Sequence, residues 1–492
     1  MSANAISNGA TNPSPQRMAM SHSTSAKVSS AAPSSLFSRL SPSSEIGDFA
    51  IVPPSHAART LVFCFGSTSG LGRKYGIRDS NLYRFFMLLN QNDRNQQMCF
   101  HYLPNEDDNL HFHDCRLRAS VIGDKDFAVS LNFDIARAYR ELMYHYRPGD
   151  KISLFGFSRG AYTARALAEM IHTVGLLPKE KARWAPWAYS LYFYLGDVDD
   201  GWHKSFAQFQ NKCNPMKVHI DFVGVWYGMS SVGDVIPRTL PFTRSNTSIR
   251  VFRQALALHE RRARLHPKFY EVCGTTPGDR PWSDSFAIAN PYGLDDSPLP
   301  PFSTHNAQLE DRTDAQEVWF AGSHCDVGGC AVPEDTPHSL GRIPLRWMVR
   351  ECFRANTGIQ FDAEELRSIG LDPTSLYPVV KERPSPLQPH YHHFHTVAPR
   401  ITTASEEEHD VRDALSPMHD QLAVYAPLWW VMEFNTTRRR IPVGPPSEWN
   451  EGSEKTVRMK QPRGLFTPKD HFRFYVHPTV YTRKQAKHPR EE

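Results

Sequence analysis

The stretch Gly156-Phe157-Ser158-Arg159-Gly160 is where the chain first presents residues that could do covalent chemistry. Two glycines flanking a serine at this spacing form a nucleophile elbow when a strand enters and a helix leaves. Residues 152–157 read as an apolar strand and 159–172 as a helix. A turn sharp enough to expose the hydroxyl needs small neighbours, which Gly156 and Gly160 supply. The Arg159 N–H, at the helix start, would then face a developing oxyanion. Such a serine needs a histidine base and usually an acid to orient it, in the chain order serine, acid, histidine, on loops after later strands. After the strand VWFAG comes Ser323-His324-Cys325-Asp326-Val327-Gly328-Gly329, which places His324 as the base. The acid is expected after the earlier strand VHIDFVGVW. Tyr227-Gly228-Met229 follows instead, and the next carboxylate is Asp234. The first strand-to-helix loop holds Ser67 and Thr68, and a backbone N–H at Ser67 would complete the oxyanion hole.

The elements that must position these residues alternate along the chain. Strands are predicted over 60–65, 98–103, 152–157, 218–226 and 318–321. Helices are predicted over 82–89, 132–146, 159–172, 248–263, 340–353 and 422–434. This alternation predicts an α/β fold, a mostly parallel sheet flanked by helices. Residues 1–57, rich in Ser, Ala, Asn and Pro without an apolar period, are expected to form a disordered N-terminal tail. Residues 58–435 form the expected catalytic domain, within which about 383–408 reads as an insertion or loop. Residues 436–492 form a Pro-rich basic extension expected to pack on it.

A net charge of +4 over 492 residues is small and argues against nucleic acid as a partner. Eight scattered cysteines without a Cys-x-x-Cys pair fit a reduced compartment better than a disulfide scaffold. No signal peptide or membrane-spanning run is evident, so a cytoplasmic location is expected. No internal repeat is visible.

Taken together, SNLYRFFMLL, the block YRPGDKISLFGFSRGAYTARALAEMIHTVGLL, VGVW, SNTSIRVFRQALALHERRA, VWFAGSHCDVGG, IPLRWMVREC and VHPTV resemble a known family. It is the α/β-hydrolase family of the type VI secretion phospholipase effector-like catalytic domain, particularly its uncharacterised fungal members. The resemblance runs from about Arg59 to the C-terminus and implies an α/β-hydrolase-like fold and an ester-cleaving enzyme, lipase or phospholipase in kind. It carries Ser158 onto the family's nucleophile and His324 onto the histidine of a Gly-x-His-x-Asp-Val-Gly-Gly motif. Met418-His419-Asp420 falls on a further His-Asp motif, which makes His419 a second base.

The chain differs from the family at three acidic positions. Gly66-Ser67-Thr68 replaces Asp-Gly-Thr, Tyr227 stands at the position of the family's acid in Val-Trp-Asp, and His259 begins a segment that is otherwise Asp-Glu-Arg-Arg. Losing a triad acid costs about 10⁴-fold in turnover, roughly 5–6 kcal/mol of barrier. Asp234, Glu260 and Asp326 are the carboxylates available to compensate, Asp326 being disfavoured because it lies two residues from His324. Tyr227 could also bond the imidazole as a neutral partner. Two readings follow: a serine hydrolase acting on small-molecule or lipid esters with an altered acid, or an impaired pseudo-hydrolase that binds a ligand or protein through the old cleft. Neither needs a cofactor or metal. The His-rich run at 390–395 reads as solvated or structural, having no fixed helical spacing and no cysteine partner, while alternate spacing in the cluster at 111–115 would place both His on one strand face.

Overall fold

A computed structural model describes residues 49–55, 58–66, 80–102, 125–193, 200–228, 246–262, 265, 267–270, 313–387, 389, 405–420, 440–442, 454–456 and 475–486. From the amino end the elements are β1 (Ile51–Val52), β2 (Thr60–Phe65), α1 (Asn81–Leu88), β3 (Gln97–Tyr102), α2 (Lys125–His145), β4 (Lys151–Phe157) and α3 (Arg159–Val174). Next come α4 (Ala185–Phe193), α5 (Asp200–Cys213), β5 (Ile220–Trp226), β6 (Ile249–Ala257), β7 (Asp314–Phe320), α6 (His324–Val327) and α7 (Arg342–Arg354). The remainder are β8 (Phe361–Asp362), α8 (Ala363–Ser368), α9 (Glu406–Ala414), β9 (Arg440–Pro442), β10 (Glu454–Thr456), β11 (Tyr475–Val476) and α10 (Thr479–Gln485).

Seven of the strands form one sheet in the order β11-β7-β6-β5-β4-β2-β3. Every neighbouring pair in it is parallel. Parallel strands must be covered on both faces, and the side chains alternate accordingly. Leu61, Phe63, Phe65, Ile152 and Leu154 enter the core shared with α2 and α3. Val62, Cys64, Phe155 and Phe157 enter the opposite core, shared with α1 and α7. The strand order reverses at β2, which has β3 on one side and β4 on the other. Such a switch point opens a crevice at the carboxyl ends of the strands, where sheets of this kind place their ligands.

Three segments differ from expectation. Residues 248–263 were predicted helical, yet Ile249–Ala257 is a strand buried between β5 and β7. Its Ala, Leu, Arg and Gln favour helix weakly, and tertiary pairing overrides that preference. The polar members have partners in place: Arg253 pairs with Glu351 and Asp314, and Gln254 donates to Glu317. Within the stretch expected to be a tail up to residue 57, Ile51–Val52 pairs antiparallel with Phe361–Asp362. The expected loop at 383–408 runs into α9, whose acidic first turn is capped by Ser405. The apolar run 422–434 lies outside the described residues.

Among the described residues no helix is long and apolar enough to cross a membrane. The six described cysteines, Cys64, Cys99, Cys213, Cys325, Cys330 and Cys352, are unbridged.

Candidate active site

The elbow forms because its glycines have no room for a side chain. A Cβ on Gly156 would lie 2.3 Å from the Gly160 carbonyl oxygen, and one on Gly160 only 1.8 Å from that of Phe65. The first turn of α3 therefore sits directly on the ends of β4 and β2. Between the glycines, Ser158 is held at φ 58°, ψ −112°, a conformation that L-residues avoid. Strain of this kind costs about 1–3 kcal/mol and persists where surrounding structure imposes it. Here the Ser158 N–H donates to the Trp226 carbonyl at 3.0 Å, which pins the turn to β5. Arg159 opens α3 immediately after Ser158, at the amino end of the helix.

The loop after β7 is shaped by its own cap. Ser323 and Asp326 form a capping box: the Ser323 hydroxyl accepts from the Asp326 N–H, and the Ser323 N–H donates to Asp326 Oδ2 at 2.8 Å. Gly322, at φ 106°, leaves space that a Cβ would take from the Asp326 side chain. The carboxylate is thus buried and aimed by its own cap. Its partner is His419. The Nδ1 of His419 lies 2.9 Å from Asp326 Oδ1, and the His419 N–H donates to Oδ2 at 3.1 Å. A carboxylate can only accept, so Nδ1 carries the proton in this pair and Nε2 is left as the basic nitrogen.

His324, two residues earlier on the same loop, is placed differently. Its ring stacks on Phe157, with centroids 4.9 Å apart, and meets the Tyr227 ring edge-on at 4.8 Å. Phe157 immediately precedes Ser158, so this stack joins the elbow to the loop that carries Asp326. Gly328 tightens the junction, since a Cβ there would lie 2.1 Å from the Phe157 ring. The His324 N–H donates to Glu260 Oε2 at 3.1 Å. Glu260 is itself buried against Arg262, with N–O contacts of 2.8 Å. Burial alone would raise the Glu260 carboxyl, but the Arg262 charge and hydrogen bonds, with a smaller pull from His324, bring it down to about 2.

Tyr227 is fully buried at φ 50°. Its hydroxyl donates to the Leu265 carbonyl at 2.7 Å, while its ring walls in His324. Asp234 and Ser67 lie outside the described residues, as do both His-rich clusters. Among the described residues no group of three or more His, Cys, Asp or Glu side chains converges where a metal could sit.

The chain thus brings the carboxyl ends of β4, β5, β6 and β7 together with residues 418–420. Sequence spacing did not reveal the union of Asp326 with His419. Asp326, disfavoured as a partner of His324 two positions away, turns its carboxylate to His419; α6 is only four residues long, and its cap, not its periodicity, sets that direction. The Ser-x-x-Asp signature of that cap was the signal available in the sequence.

Residues 59–351 match the family described as T6SS, phospholipase effector Tle1-like, catalytic domain. An uncharacterized protein of Saccharomyces cerevisiae, YEL023C, is 31% identical over 435 residues, covering 67% of this chain and 62% of that protein. The chain therefore spans less than two thirds of that relative's length. A crystal structure of an uncharacterized protein from Pseudomonas aeruginosa aligns at 13% identity and TM-score 0.30, covering 65% of this chain and 50% of that one. The structure of the Tle1 effector bound to the VgrG spike of the type 6 secretion system aligns at 12% identity and TM-score 0.25, covering 56% and 52%. With the family match running from the start of β2 almost to the end of α7, well over half of its length, this chain belongs to the Tle1-like phospholipase effector catalytic-domain family.

Proposed function

We propose that the protein is a serine hydrolase of lipid esters in which Ser158 is the nucleophile, His419 the general base and Asp326 the acid that orients it. The observation that carries this reading is the Asp326–His419 contact at 2.9 Å. It supplies the carboxylate that Tyr227 replaces, and it supplies it in the chain order serine, acid, histidine of this fold. The strained elbow at Ser158 and the position of Arg159 support the same reading. The lipidic character of the substrate rests on the family.

The steps are those of acyl transfer. Ser158 Oγ attacks the ester carbonyl carbon as its proton passes to His419 Nε2, and the Arg159 N–H stabilises the oxyanion. The ester C–O bond breaks, and the alcohol leaves with the proton from His419. Water, deprotonated by the same imidazole, then attacks the acyl-enzyme, and the acid and Ser158 are released. Asp326 stabilises the imidazolium without itself taking the proton. His324, first in line for the base from sequence, becomes a wall of the site between Phe157 and Tyr227.

A serine-directed fluorophosphonate probe tests the assignment. Ser158→Ala should abolish labelling, and His419→Ala should slow it by about 10³-fold or more. His324→Gln should stay within about tenfold of wild type, since in this reading His324 packs behind the elbow and transfers no proton. If His324→Gln abolishes labelling and His419→Ala does not, the base is His324. If the folded wild-type protein is not labelled while an active relative is, the hydrolase reading fails and the binding-module reading replaces it. Fatty-acid release from phospholipid and acylglycerol esters would then identify the substrate class of a protein that labels.

A further inference from the structure

His419 is gripped on one side by Asp326. Its neighbour Asp420 is gripped from a different strand: Arg261 Nη1 lies 2.6 Å from Asp420 Oδ2. Arg261 belongs to the loop after β6, and that loop is rigidly mounted. The Leu258 N–H donates to the Phe320 carbonyl, the His259 N–H donates to the Gly322 carbonyl, and the Gly322 N–H returns to His259 Nδ1. On either side of Arg261, Glu260 and Arg262 close a buried ion pair. A fixed platform therefore presents one guanidinium to the residue next to His419.

We propose that the Arg261–Asp420 ion pair is a clasp that positions His419, so that Arg261 and Asp420 are positioning residues for the reaction. The proposal rests on the reading of His419 as the base. The pair is partly exposed, with side-chain accessibilities of 36% and 26%. A pair this exposed contributes little to global stability, and its loss should leave the fold intact. Its leverage is local. Asp326 fixes the direction of the imidazole, but the backbone that carries the imidazole is tied across to β6 by this contact. A displacement of about 1 Å at a catalytic group can cost on the order of 10²-fold. The family's acidic residue at position 259 is a histidine here, and that histidine takes part in mounting the platform through Gly322.

A double-mutant cycle on the full chain, read in two ways, tests the clasp. The first readout is the rate of fluorophosphonate labelling at Ser158. The second, which needs no activity, is hydrogen exchange of the peptide containing the His419 amide, whose N–H is held by Asp326. Arg261→Gln and Asp420→Asn should each slow labelling by about 10- to 100-fold and speed the exchange. The double variant should be no worse than either single one, because both remove the same interaction. Arg261→Lys, which keeps the charge, should retain most of both properties. Unchanged exchange in the single variants, or fully additive effects in the double, would overturn the clasp. So would faster exchange with wild-type labelling rates. Coupled exchange in a protein whose wild type is never labelled would leave the clasp standing as the hold on His419 and remove the hydrolase reading instead.

Discussion

Gly160 shows how little freedom the site leaves to a single residue. Its missing side chain lets the first turn of α3 close on the Phe65 carbonyl, and the Ser158 conformation depends on that closure. A methyl group there cannot be absorbed by a flexible neighbour, because the obstacle is backbone at 1.8 Å. Gly160→Ala should therefore cost about 2–3 kcal/mol or more through overpacking. Urea unfolding would measure it, and labelling at Ser158 should fall with it. An unchanged midpoint and labelling rate would mean that the elbow can relax without β2. Tyr227 is the contrasting residue. The sequence resemblance puts it at the family's acid position, and its phenol is committed to the Leu265 carbonyl. The carboxylate that meets a histidine comes instead from the next loop but one.

β6 and β7 carry a second lesson at the scale of elements. Where these strands lie side by side, polar side chains pair across the sheet: Gln254 Nε2 donates to Glu317 Oε1 at 2.7 Å, and Gln254 Oε1 accepts from the Gly228 N–H at 3.2 Å. The Tyr270 N–H donates to the same Glu317 oxygen. Burial raises the Glu317 carboxyl to about 7, although Arg165 and these donors pull the other way. The unfolded chain titrates near the ordinary value of about 4.3. The folded state thus keeps a proton that the unfolded state loses. The stabilising share is full below about pH 4, declines as pH rises, and is gone above about pH 7. Glu317→Gln keeps the acceptor without the charge. It should raise the melting temperature at pH 8 and leave it nearly unchanged at pH 4, as differential scanning fluorimetry across pH would show. An equal shift at both pH values would mean that Glu317 does not titrate in this range.

Across the whole molecule, distant parts of the chain converge on the segment that carries His419. Arg346 of α7 bonds Asp410 and Asp413 of α9, and Arg350 bonds Glu406 at its start. From the far end of the chain, Arg483 of α10 donates to the Ala414 and Ser416 carbonyls at 2.7 and 2.6 Å. The strand just before it, β11, extends the sheet beside β7. The C-terminal residues therefore complete the fold and brace the approach to His419 together. Arg483→Met would strip a buried donor from two carbonyls and should cost roughly 1–3 kcal/mol, lowering the thermal midpoint. A midpoint identical to wild type would place the bracing elsewhere.

Local pattern carried the elbow, the alternation of strands and helices, and most element positions, because these depend on neighbours in the chain. An apolar run entering Gly-x-Ser-x-Gly is legible without knowing what surrounds it. β6 was not legible: its residues prefer helix weakly, and only pairing with β5 and β7 decides their state. The parallel sheet was expected, but its strand order, with the switch point at β2, appears only in the assembled molecule. Nor could sequence rank the acids around the site. Asp326 was weighed only as a partner of His324, and His419 entered only through a family motif. Their contact spans 93 residues, and a short capped helix directs it. The chemistry-bearing residue types were thus present in the sequence, while their pairing was decided by tertiary structure, because hydrogen-bond geometry between loops is set by the strands that deliver them.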